Sequence, residues 1–180
     1  MVYAFLAQGF EEIEAITVID VLRRAELEVV TVGVGDNLIR GSHGIIVAAD
    51  TQDNMIELNE NVDMIFLPGG MPGTLNLEKS SAVQSAIDYC LENDKYVAAI
   101  CAAPSILGHR GDLKEKRACC YPGFEGQLEG AEVSYDPVTE DGKIITSRGP
   151  ATAMSLALKL ASILTSDAKS KQLGASMICQ

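Results

Sequence analysis

Positive charge is scarce in this chain: 14 lysines and arginines stand against 25 aspartates and glutamates, a net charge of -11. Such a surface repels a phosphate backbone and anionic lipid alike, so neither nucleic acid nor a membrane is an expected partner. Apolar runs of bilayer length are missing too, and Met1-Val2-Tyr3-Ala4-Phe5-Leu6 has neither the basic region nor the length of a signal peptide. The expectation is a soluble, cytoplasmic protein. Neither GxGxxG nor GxxxxGKS/T occurs, and Ala7-Gln8-Gly9-Phe10 lacks the small, hydroxyl-rich cradle of a flavodoxin-type flavin site, so no cofactor is expected. The two histidines, His43 and His109, have no companion ligands at recognisable spacing, which argues against a metal centre. Zinc-type CxxC spacing is also absent from the five cysteines, an odd number that predicts free thiols. Cys119 and Cys120 are neighbours that a strand would point to opposite faces, unsuited to sharing an ion or bridging each other. Cys90 and Cys179 read as structural or incidental.

With 180 residues and 47% hydrophobic content the chain can build one sizeable core, and a single domain over 1–180 is expected. Short β-rich runs at Val2 to Leu6, Glu28 to Gly33, Met64 to Leu67 and Val97 to Ile100 alternate with helical patterns at Glu12 to Ala25 and Ser80 to Asn93. That alternation predicts an α/β fold, a parallel sheet with helices on both faces, and the unbroken apolar strands fit burial from both sides. Gly41 and Gly44 within Ile39 to Ala48 suggest a hairpin or bulged edge, and Glu140-Asp141-Gly142 between Val138 and Ile144 marks a second hairpin. Pro150 is placed to open the last long helix, Ala151 to Leu164.

Cys101 closes the run Tyr96 to Ile100 and stands directly before Ala102-Ala103-Pro104-Ser105-Ile106-Leu107, a strand feeding a helix through a very tight turn. A turn of that kind lifts its central side chain above the sheet and directs the positive helix end at it, which draws a thiol toward thiolate. The same position also suits a buried core cysteine. Glu14, on the first helix, shares its row with the apolar Val18, Val21 and Ala25. Burial there would keep its carboxyl protonated and able to donate to a thiolate; alternatively Glu11, Glu12 and Glu14 are acids stabilising a helix N-terminus. Leu67-Pro68-Gly69-Gly70 follows another core strand, where paired glycines admit close backbone approach or simply mark a turn. His109 lies about two helical turns beyond Cys101 and is a poor base for it. Arg148, in Ser147-Arg148-Gly149-Pro150, can hold an anionic group or fix its loop by an ion pair.

Four segments, Gly9 to Ala15, Leu67 to Gly70, Ala98 to Pro104 and Thr146 to Pro150, together resemble the ThiJ/PfpI superfamily, in order through nearly the whole chain. Within it the resemblance is to the DJ-one branch, that of the parkinsonism-associated deglycase. This implies a flavodoxin-like sandwich, usually a homodimer. Cys101 becomes the oxidation-prone nucleophile, Glu14 its protonated hydrogen-bond partner, and Gly69, Gly70 and Ala102 the substrate pocket and oxyanion support beside it. Two positions depart from relatives. Tyr121 stands where close relatives often carry a histidine, and a phenol cannot replace an imidazole as a base at neutral pH. Ala102 stands where the protease-like branch has histidine, which argues against a Cys-His peptidase. The function implied is a cofactor-independent glyoxalase or deglycase acting on small reactive aldehydes such as methylglyoxal. The rival is a redox sensor or chaperone working through oxidation of Cys101, and thiazole monophosphate biosynthesis ranks last for want of a phosphate-binding motif.

Overall fold

The central strands are apolar without interruption because both faces of their sheet are covered. The computed structural model describes residues 1–179. Its elements in chain order are β1 (Val2–Leu6), α1 (Glu12–Arg24), β2 (Val29–Gly33), β3 (Leu38–Arg40), β4 (Ile46–Ala48) and β5 (Thr51–Gln52). They continue with β6 (Met64–Leu67), α2 (Gly73–Lys79), α3 (Ser81–Glu92), β7 (Tyr96–Ile100), α4 (Pro104–Arg110), β8 (Arg117–Ala118) and β9 (Glu132–Val133). The chain closes with β10 (Val138–Asp141), β11 (Ile144–Ser147), α5 (Ala153–Leu164) and α6 (Asp167–Ser176).

One seven-stranded sheet has the order β10-β11-β7-β6-β1-β2-β5, parallel except for the β10–β11 edge hairpin. Alternate strand residues feed two cores, as the two-residue period of a strand requires. Ala4, Leu6, Phe66, Ala98 and Ile100 pack with Val18 and Leu22 of α1 and Leu156 and Leu160 of α5. Tyr3, Phe5, Ile65, Val97 and Ala99 pack on the other face with Val83 and Ile87 of α3 and Ile106 of α4. Since β1, β6 and β7 lie side by side, their carboxyl ends bring Gly9–Glu14, Gly69–Gly70 and Cys101 to one edge, the place where open α/β sheets bind ligands. Among the described residues no helix is long and apolar enough to cross a membrane.

Several expected boundaries shift for local reasons. Ser80 lies outside α3 as its cap, accepting from Val83 N–H at 3.4 Å. Pro150 opens a 3-10 turn, Pro150–Thr152, and the regular helix begins only at Ala153. The Ile39 to Ala48 segment forms a separate hairpin of β3 and β4. Cys119 and Cys120 fall just beyond the two-residue β8 and are both buried, and all five cysteines are free. The second helix after Gly73 and the closing α6 were not expected from the pattern.

Candidate active site

Cys101 occupies the turn between β7 and α4 in a left-handed conformation, φ 66°. A non-glycine residue held there stores on the order of 1–3 kcal/mol of strain, which the surroundings must impose. They do so from both sides. Cys101 N–H donates to the Ser147 carbonyl at 2.9 Å, and its own carbonyl accepts from Tyr121 N–H at 2.8 Å. Ser147 is in turn tied down, donating to the Pro137 carbonyl at 2.8 Å and sharing a hydrogen bond with Thr152 at 2.7 Å. The side chain of Cys101 keeps a small window to solvent, with the residue 9% exposed.

Glu14 is fully buried, at 0% exposure. Its Oε2 accepts from Gly69 N–H at 2.9 Å, whereas Oε1 makes no well-directed hydrogen bond within the fold. The polar group that Glu14 does influence is the Cys101 thiol. Burial is the main reason its carboxyl rises to about 7, aided by the charge of Glu11 and opposed by Cys101 and the Gly69 N–H. The helix end was expected to draw Cys101 toward thiolate, and the structure reverses that sign. Burial first, then the Glu14 charge, push the thiol up, and the Ala102 and Gly70 N–H groups offset only part of this. The regular helix starts at Pro104, which has no N–H to offer, and the thiol lies beneath the surface. The two groups are therefore coupled, and a charge on Glu14 disfavours a thiolate on Cys101.

The glycine pair divides its work. Gly69 spends its N–H on Glu14 and so is not an oxyanion donor, contrary to expectation; Gly70 and Ala102 are the residues whose N–H groups act on the sulfur. A Cβ on Gly69 would stand 2.6 Å from both Cys101 Cβ and Glu14 Oε2, and 2.9 Å from the Ile100 carbonyl. Gly69→Ala is accordingly expected to separate thiol from acid, at an overpacking cost of about 1–3 kcal/mol. Thermal unfolding together with the rate of Cys101 alkylation checks this, and an unchanged alkylation rate would show that the close approach is dispensable.

Tyr121 sits with its ring against Gly149, at 3.1 Å from a Cβ built there, and its backbone N–H donates to the Cys101 carbonyl. The Arg148 guanidinium lies 5.8 Å from the Tyr135 ring and forms no ion pair among the described residues, so the alternative of a loop-fixing ion pair is not seen there. His109 pairs with Glu78 at 2.6 Å, as a surface histidine. His43, by contrast, does have companions: Glu11 and Glu12 converge on it across a chain separation that no spacing rule reveals.

A strained cysteine after a parallel strand, paired with a buried carboxylic acid, defines a class of α/β proteins built around one reactive thiol. The model described as DJ-1/PfpI family matches residues 1–163, and the chain belongs to that family. It is 34% identical over 176 residues to Protein dj-1beta of Drosophila melanogaster, covering 96% of this chain and 94% of that protein. Protein DJ-1 homolog B of Arabidopsis thaliana is also 34% identical, over 177 residues that cover 96% of this chain but 40% of that longer protein. Glutathione-independent glyoxalase DJR-1.2 of Caenorhabditis elegans shares 30% over 164 residues, 91% of this chain and 87% of its own length. Among solved structures, oxidized Toxoplasma gondii DJ-1 superposes with a TM-score of 0.94 at 37% identity, covering 98% and 97% of the two chains.

Proposed function

We propose that the protein is a cofactor-independent, cysteine-dependent glyoxalase of small reactive aldehydes, with deglycase action on their protein adducts as the same chemistry. The observation that carries this reading is the unsatisfied Oε1 of buried Glu14 beside the strained Cys101. In this reading the Cys101 sulfur bonds to the aldehyde carbon of a 2-oxoaldehyde while its proton passes through ionised Glu14 to the aldehyde oxygen, giving a hemithioacetal. Glu14 takes the proton from that carbon and returns it to the neighbouring carbon while the hydroxyl proton passes to the neighbouring oxygen, giving a 2-hydroxy thioester that water cleaves to a 2-hydroxy acid and the free Cys101 thiol. The N–H groups of Gly70 and Ala102 support the oxygen that becomes negative. A carboxyl titrating near 7 suits both halves of the transfer at neutral pH, which matters because Tyr121 offers no imidazole. A glyoxalase-named relative in Caenorhabditis elegans supports the assignment. Incubation with methylglyoxal without glutathione tests it: aldehyde loss must match 2-hydroxy acid formation, and turnover no greater than that of Cys101→Ser overturns the reading.

The same unsatisfied oxygen favours a second reading, a peroxide sensor in which protonated Glu14 donates to an oxidised Cys101 sulfur. Peroxide titration followed by intact mass separates it: oxygen must add to Cys101 in preference to the other thiols. The proposal extends to a homodimer. Ile13, Ile16, Leu38, Ile45 and Ile46 are exposed on α1 and the adjacent hairpin, an apolar area that a second chain would cover. Ile16→Asp is expected to halve the solution mass measured by light scattering, and a wild-type monomer would refute this part.

A further inference from the structure

We propose that Glu11, Glu12 and His43 form a divalent transition-metal site, of the kind that takes zinc, separate from the reactive thiol. Their ligand atoms all lie within 4.8 Å of one another. His43 Nδ1 stands 3.1 Å from Glu12 Oε2 and 3.5 Å from Glu11 Oε2. Ser42 Oγ lies 3.1 Å from Glu11 Oε2, 3.3 Å from Glu12 Oε2 and 3.1 Å from His43 Nδ1. Zinc bonds of ~2.0–2.1 Å in a tetrahedron place donor atoms roughly 3.3 Å apart. The atoms thus already stand at ligand-to-ligand spacing, with three protein donors and a fourth corner marked by Ser42 for its hydroxyl or a water.

Four further observations point the same way. The donor set mixes one imidazole nitrogen with two carboxylates, chemistry suited to zinc and its neighbours. The set is held in place by groups outside it, because Glu12 Oε1 is taken by the backbone N–H groups of His43, 2.9 Å, and Ile45, 3.2 Å, which leaves Oε2 for the site. Gly41 lets the hairpin close over Glu12, since a Cβ there would fall 2.3 Å from the carboxyl carbon. Finally, two carboxylates face a single imidazole, and among the described residues no lysine or arginine pairs with either of them. A divalent cation would supply that missing charge.

The test uses the full chain, stripped with chelator and titrated with Zn2+ by calorimetry and with Co2+ by absorption. One equivalent is expected to bind, with cobalt bands of a four-coordinate nitrogen and oxygen site and no thiolate charge-transfer band. His43 is 71% exposed at its side chain, so His43→Gln leaves the fold intact, and it is expected to weaken binding by at least ~10-fold. Cys101→Ser is expected to bind as wild type does, which separates this site from the proposed activity. Absence of saturable binding, wild-type affinity in His43→Gln, or loss of binding in Cys101→Ser would each overturn the proposal.

Discussion

Replacing Cys101 by serine is expected to reduce methylglyoxal turnover to the rate of the uncatalysed reaction while leaving the fold in place. The volume is nearly conserved, and the backbone clamps on residue 101, from Ser147 and Tyr121, do not involve the side chain. What is lost is the nucleophile. A hydroxyl in this position needs a base stronger than a carboxyl titrating near 7, and Tyr121 supplies none. Removing a nucleophile that works as a unit with its proton carrier commonly costs on the order of 10⁶-fold in kcat, so residual turnover has no second route. Single-turnover trapping adds a sharper criterion. Wild type must gain the mass of one aldehyde on the peptide carrying Cys101, and the variant must gain none. If the serine protein still consumed aldehyde catalytically, or if wild-type adducts formed elsewhere, Cys101 would be a core cysteine, as its burial alone permits.

How much of this arrangement was legible before the structure depends on range. The strands showed because an apolar run covered on both faces carries its burial in its composition, and Cys101 showed because a strand meets a helix there. Glu14 showed through helical periodicity, since an acid heading a row with Val18 and Val21 must enter the core with them. The sign of the thiol shift was not legible. It depends on how deep the sulfur lies and on the Glu14 charge beside it, both consequences of β1, β6 and β7 standing side by side. The different tasks of Gly69 and Gly70 were hidden for the same reason, because only the fold decides which N–H meets the carboxyl. His43 is the plainest case: its partners lie on another element, brought close by a hairpin that packs against the start of α1.

Glu14→Gln separates the two jobs assigned to the acid. Glutamine fills the same space and still accepts from Gly69, but it cannot carry a proton, so turnover is expected to fall about 10²–10⁴-fold with covalent capture of the aldehyde retained. The thiol should respond in the opposite sense. The Glu14 charge helps to hold the Cys101 proton, so its removal is expected to move the pH midpoint of alkylation downward. An unmoved or higher midpoint would detach Glu14 from the sulfur. Stability supplies an independent reading. A carboxyl raised from 4.5 to about 7 by burial contributes fully below pH 4.5, and that contribution is lost as pH rises through 7. The loss amounts to roughly 3 kcal/mol across that window, since each pKa unit is ~1.36 kcal/mol. Denaturant melts of wild type should therefore weaken between these pH values relative to Glu14→Gln, in which the group does not titrate. Parallel curves for the two proteins would mean that the buried acid is ionised throughout, and proton transfer by Glu14 would fall with it.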